Sequence, residues 1–170
     1  DSEHGVLETR TEYQSGLKTL VTNPRGFQTT TSFMAWDAPG YDLPLRSDQP
    51  ENKVIEIVRH PHLGRPEQLR QRSADGSLQQ TRYYVYDGHA QLCKTIEPET
   101  GATLMHYDPA GNLDWSAAGL SLSSTLSCDE HDASIAARKV SRGYDARNRL
   151  STLAFPDGRG NQVWTYEKDG

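Results

Sequence analysis

His60 and His62 are the first residues whose spacing could do chemistry. Alternate residues on a strand share a face, so such a pair would present two imidazoles together, as a metal site needs. Pro61 sits between them in a turn, however, and spacing places no third ligand. Cys128-Asp129-Glu130-His131 holds several ligand types in a row. It lacks a second pair at zinc-finger spacing and reads as a solvated polar loop. Asp87, Asp108 and Asp145 could act as acids or bases. Each follows a tyrosine and starts a turn, where a carboxylate is better used to accept backbone hydrogen bonds. Asp157-Gly158-Arg159-Gly160 reads as a turn, because no helix follows it to bind phosphate. No G-x-S-x-G, H-E-x-x-H, P-loop or G-x-G-x-x-G pattern occurs. The expectation is a protein that is not an enzyme, with no catalytic residue, cofactor or metal. A hydrolase with an unrecognised acidic pair has the least support.

The tyrosines offer a different chemistry. Tyr13, Tyr86, Tyr107, Tyr144 and Tyr166, with Trp36, recur along the chain. Such rings could be platforms for glycans, but aromatics at a structural period more often pack against their neighbours. The expected role is a structural ladder, each hydroxyl satisfied at the sheet edge and each following aspartate capping a turn.

The period itself points to the elements that carry these residues. Tyr86-Asp87 is followed by Tyr107-Asp108 after 21 residues, and Tyr144-Asp145 by Tyr166-Glu167 after 22. Weaker starts fall at Tyr13-Gln14, Trp36-Asp37 and His60-Pro61; Tyr41-Asp42 is read as a decoy. Turn residues come next: Gly40, Gly64 and Gly111 supply positive φ, and Asn148 tolerates it. Ala90 stands where glycine is expected, so that turn is expected to be altered. Second turns lie midway, at Asn23-Pro24-Arg25-Gly26, Ala74-Asp75-Gly76, Pro98-Glu99-Thr100-Gly101 and Pro156-Asp157-Gly158. Short β-rich runs between glycine turns are hairpin chemistry. The predicted fold is an all-β antiparallel meander of about a dozen strands in one wide, twisted sheet. Residues 1–170 form one repeat array, with loop insertions near 38–53 and 116–138. Ser134 to Val140 could form a short helix. Arg65, Arg70 and Arg72 alternate with Glu67 and glutamines and read as a solvated strand face.

Composition agrees. Leu, Ile, Val and Phe are 30 of 170 residues, a thin aliphatic core, and the net charge is only −5. No apolar run is long enough to span a membrane as a helix. A pI near 5.6 without a basic block argues against nucleic acid. Cys93 and Cys128 fit one disulfide or two free thiols equally well.

Tyr-Asp, two residues, glycine, a polar residue and leucine, recurring with Asp-Gly turns midway, resembles the YD repeat of RHS (rearrangement hotspot) proteins. The resemblance runs from about Thr9 to Gly170. It implies a β-shell segment from a much larger exported protein, as in bacterial polymorphic toxins, insecticidal toxin complexes and animal teneurins. Its partners would be flanking repeats and a C-terminal toxin cargo of the same parent chain. Export by type VI secretion, or display on the bacterial cell surface, follows from the same likeness. The alternative is a cell-surface carbohydrate-binding or adhesion module, with glycans as partners. An array cut out of its parent leaves open strand edges, so the isolated fragment is expected to self-associate.

Overall fold

The computed structural model describes residues 7–35 and 40–167. Trp36 and Asp37 lie outside the described residues. The fold is all-β and antiparallel, and its strands pair in chain order. Two short 3-10 helices, Pro50–Asn52 and Ala133–Ala137, are the helical elements among the described residues. No helix there is long and apolar enough to cross a membrane. The chain divides into two compact units, residues 1–81 and 82–170.

The first unit contains β1 (Arg10–Gln14), β2 (Lys18–Thr22), β3 (Gln28–Phe33), β4 (Pro44–Gln49), β5 (Lys53–Arg59) and β6 (Pro66–Ser73). Each pairs antiparallel with its sequence neighbour. Pairing aligns Lys18, Ser32, Arg46, Glu56 and Arg70 in one row. Leu20, Thr30, Asp48, Val54 and Arg72 form a second row on the same face, because the side-chain period is two. The charges on this face meet each other. Arg46 bonds Asp48 at 2.7 Å and Glu56 at 3.3 Å, while Arg72 reaches Glu56 at 3.0 Å. The Arg72 hydrogen bond holds the Glu56 carboxyl below its usual range, and that from Arg46 does the same for Asp48. Arg70 and Arg72, expected on a solvated face, therefore sit in an ion-pair network around Glu56. Val54, paired between Asp48 and Arg72, is buried. Residues 44–49, within a stretch read as loop, form β4 because strands flank it on both sides. Pro44 is tolerated as its first residue.

The second unit starts within β7 (Gln79–Tyr86) and continues through β8 (Leu92–Glu97), β9 (Gly101–Tyr107), β10 (Leu113–Leu120), β11 (Lys139–Tyr144), β12 (Leu150–Ala154) and β13 (Gln162–Val163). Its core is Ala102, Leu104, Trp115, Ala117, Leu120 and Ile135, with Ile96 and Leu122 packed against it. All but Ile135 and Leu122 come from strands. Those two belong to residues 121–138, which leave the sheet after β10 and cross one face before β11. Ser116 to Leu120, expected in an inserted loop, are thus part of β10, and the short helix expected near Ser134 is the 3-10 turn Ala133–Ala137. At Gly101 a side chain is excluded twice over: φ is +77°, and a Cβ would stand 2.6 Å from the Leu120 carbonyl oxygen.

Candidate functional site

Three turns of the second unit share one construction. Asp87 Oδ1 accepts the backbone N–H groups of His89 at 2.9 Å and Gln91 at 2.8 Å. Asp108 does the same for Ala110 and Asn112, both at 2.9 Å. Asp145 does so for Arg147 at 2.8 Å and Arg149 at 2.9 Å. One carboxylate oxygen thereby satisfies two donors that a tight turn would otherwise leave unpaired. The Asn112 side-chain and backbone N–H groups hold the Asp108 carboxyl below its usual range, and the Arg149 backbone N–H does so for Asp145. Three residues after each aspartate the backbone is left-handed: φ is 64° at Ala90, 84° at Gly111 and 57° at Asn148. The Ala90 turn therefore keeps the geometry of its neighbours despite its Cβ.

The tyrosine of one turn holds the exit of the turn before it. Tyr107 donates its hydroxyl to the Leu92 carbonyl at 3.1 Å, Tyr144 to that of Leu113 at 3.0 Å, and Tyr166 to that of Leu150 at 2.6 Å. Burial raises the Tyr107 phenol above its usual pKa, and the Asp87 carboxylate pushes the same way. Each acceptor leucine pairs with the tyrosine six residues before it: Tyr86 with Leu92, Tyr107 with Leu113, Tyr144 with Leu150. Directly after that leucine the register slips by one residue. Cys93, Asp114 and Ser151 are the extra residues of these β-bulges.

The remaining repeat starts vary this plan. In the first unit His60 stands where the others have aspartate: its Nδ1 accepts the N–H groups of His62 and Leu63, both at 3.2 Å. Arg59 takes the tyrosine's place, with its Nε donating to the Pro44 carbonyl at 2.9 Å. The spacing had put His60 at the aromatic position, one residue away. Gly64 closes that turn with φ 65°. Its N–H donates to the His60 carbonyl, at 2.9 Å. Tyr13, on β1, is largely exposed and meets Tyr41 edge-on at 5.0 Å; Tyr41 in turn meets Phe33 at 5.2 Å. Tyr41, which the sequence does not count as a repeat start, contributes a ring to this aromatic packing. Gly40 precedes it without regular secondary structure.

A groove of about 830 Å³ opens between the Asp87 and Asp108 turns, lined also by His89, His106 and Glu130. Several of its titratable groups are engaged. Asp87 and Asp108 cap their turns, and His106 Nδ1 lies 2.7 Å from Asp114 Oδ1 while its ring stacks on Trp115 at 5.5 Å. Among the described residues, no three His, Cys, Asp or Glu side chains group as a metal ion would need.

One linkage is left open by the sequence, between a disulfide and two free thiols. Cys93 and Cys128 form a disulfide, with Cα atoms 5.5 Å apart. The next residue along each segment repeats the connection: the Lys94 ammonium, wholly buried, bonds Asp129 at 2.6 Å. The signal available was the cysteine directly after a repeat leucine, where the bulge falls.

The fold can be placed among known structures. No protein-family model and no curated protein matches the chain. It is similar to a chain of the Photorhabdus luminescens Tc holotoxin pore carrying a TccC3 mutation, with TM-score 0.52 and 11% identity over 85% of this chain. It is also similar to a chain of the TcdB2–TccC3–Cdc42 crystal structure, with TM-score 0.50 and 12% identity over 84% of this chain. In both cases it spans 9% of the larger chain's length. At this identity the likeness shows a shared antiparallel β fold.

Proposed function

We propose that this chain is a stretch of wall in an RHS-type shell, whose work is to enclose a toxin or effector segment of a larger exported protein. The observation that carries the reading is the tyrosine-to-leucine hydrogen bond, repeated from Tyr107, Tyr144 and Tyr166 with the same aspartate turn and the same bulge. Such a unit can be added in series without changing its neighbours, as a long wall requires. The fold shared with chains of two Tc toxin structures supports the same reading. The mechanism would be geometric. Paired backbones close the wall, and the chain needs no catalysis of its own. Flanking repeats and the enclosed segment would be its partners. The Cys93–Cys128 disulfide fits an exported protein, because such bonds persist in oxidising compartments. Electron microscopy of the parent protein tests the proposal: a closed shell with this segment in its wall is expected, and a solid or extended particle would sink it.

A glycan-binding surface is the second reading, favoured only by the exposed Tyr13 ring beside Tyr41. It predicts that glycans perturb tyrosine emission in a Tyr13-dependent way. A flat titration across a glycan panel removes it.

A further inference from the structure

We infer that residues 121–138 form a strap whose closure over the core of the second unit is controlled by thiol–disulfide exchange at Cys128. The sheet does not need this segment for its continuity. β10 and β11, which it connects, pair directly through Trp115 with Ser141 and Ala117 with Lys139, so its two ends are already fixed by a ladder. What the strap adds is cover: Ile135 is buried in the core and Leu122 packs beside it. Its tip is polar, and Leu126 there is 95% exposed. Several of its side-chain hydrogen bonds are internal, as between Ser127 and Asp129 or Asp132 and Ser134.

Two tethers join the strap to β8, and both depend on the bulge. An ordinary strand turns consecutive side chains to opposite faces. The extra residue at Cys93 re-aims that alternation, so Cys93 and Lys94 both meet the strap, at Cys128 and Asp129. Only the first tether responds to redox conditions. Cys93 is 1% exposed, whereas Cys128 is half-buried, so Cys128 is the end of the bond more open to an incoming thiolate. The reductant is a low-molecular-weight thiol. Its thiolate attacks Cys128 Sγ, the protein S–S bond breaks, and Cys93 leaves as a thiolate and takes up a proton. A second thiol then attacks the mixed disulfide and frees Cys128. Two external thiols become one external disulfide, and the protein gains two thiols. The strap is then held by the Lys94–Asp129 ion pair and the Ile135 contact, while the strand ladders beneath keep their hydrogen bonds. In the reduced state the strap opens more often while the sheet beneath it stays formed.

Hydrogen exchange on the full chain, oxidised and then reduced with a phosphine, tests this. The expected result is exchange on the order of 100-fold faster across 121–138, the factor a typical disulfide contributes, with the amides of β8, β9 and β11 unchanged. Cys128→Ser should behave as the reduced chain does, and reoxidation of the wild-type chain should restore protection. Unchanged exchange in the strap after complete reduction overturns the inference. So does loss of protection across the whole unit, which would make the disulfide a global staple. Should the variant fail to fold, the chemically reduced chain still decides between these outcomes.

Discussion

The Tyr144 hydroxyl donates to the Leu113 carbonyl across 31 residues of sequence, at 3.0 Å. The strap lies between them in the chain, yet the bond matches those of Tyr107 and Tyr166, whose partners are 15 and 16 residues away. The contact is thus set by the sheet and not by distance along the chain.

That hydrogen bond should be measurable one repeat at a time. Tyr144→Phe keeps the ring and removes the donor, leaving the Leu113 carbonyl short of a partner. A loss of about 1 kcal/mol in urea unfolding is expected for it, and the same for Tyr107→Phe. A loss near zero for both would mean that water replaces the phenol without cost.

The turn carboxylates should be replaceable by amides. Asn23 already shows this, since its Oδ1 accepts the N–H groups of Arg25 at 2.9 Å and Phe27 at 3.0 Å as Asp108 does for its own turn. Asp108→Asn is therefore expected to keep most stability, and Asp108→Ala to lose measurably more by stranding turn donors. Equal losses for the two substitutions would contradict the capping role.

Ala90 and Gly111 test the left-handed position from both sides. A Cβ at Gly111 would meet nothing closer than Gln91 Nε2 at 3.7 Å, so the cost there is conformational. Ala90→Gly is expected to stabilise by about 1 kcal/mol, and Gly111→Ala to destabilise by a similar amount. Thermal melts of the two variants should move in opposite directions.

Removing Asp129 should cost more than removing Lys94. Asp129→Asn leaves a wholly buried ammonium without its carboxylate, for which about 2–3 kcal/mol of destabilisation is expected. Lys94→Met leaves only a carboxylate that water can reach, and the double substitution should recover most of the loss. A double-mutant cycle in denaturant checks the order.

Acid should weaken the fold through its carboxylates. Asp108, Asp129 and Asp145 are held below their ordinary value of 3.8, as Glu56 is below 4.5. Hydrogen bonds from Asn112, Lys94 and Arg149 lead those effects on the aspartates, and that from Arg72 on Glu56. A lowered folded-state pKa contributes stability that is fully present above the unfolded value and lost as pH falls through the folded one. Stability should therefore be flat above about pH 5 and decline below about pH 4. Melting temperatures measured across that range would show the break.

Much of the plan could be read from the chain because each repeat writes its turn in local chemistry. Asp108, Gly111 and Leu113 stand at fixed intervals after Tyr107, and each interval reflects a contact inside a few residues. What could not be read depends on registers between strands. The one-residue shift that gives Arg59 and His60 the tyrosine and aspartate places hides in a turn of different length. Lys94 looks like any strand lysine until the bulge turns it under the strap. Phe33 and Tyr41 meet across a connection whose course no spacing rule predicts.

The serial pairing of the strands has a mechanical consequence. Pulled from its ends, a meander of this kind yields one hairpin after another, not all at once. One repeat of 21 residues would release roughly 70 Å of chain, at about 3.4 Å for each residue. The disulfide sets an exception: the 35-residue separation between Cys93 and Cys128 is closed to extension while the bond stands. Such a chain would lengthen in steps, and its redox state would decide how many of them it has.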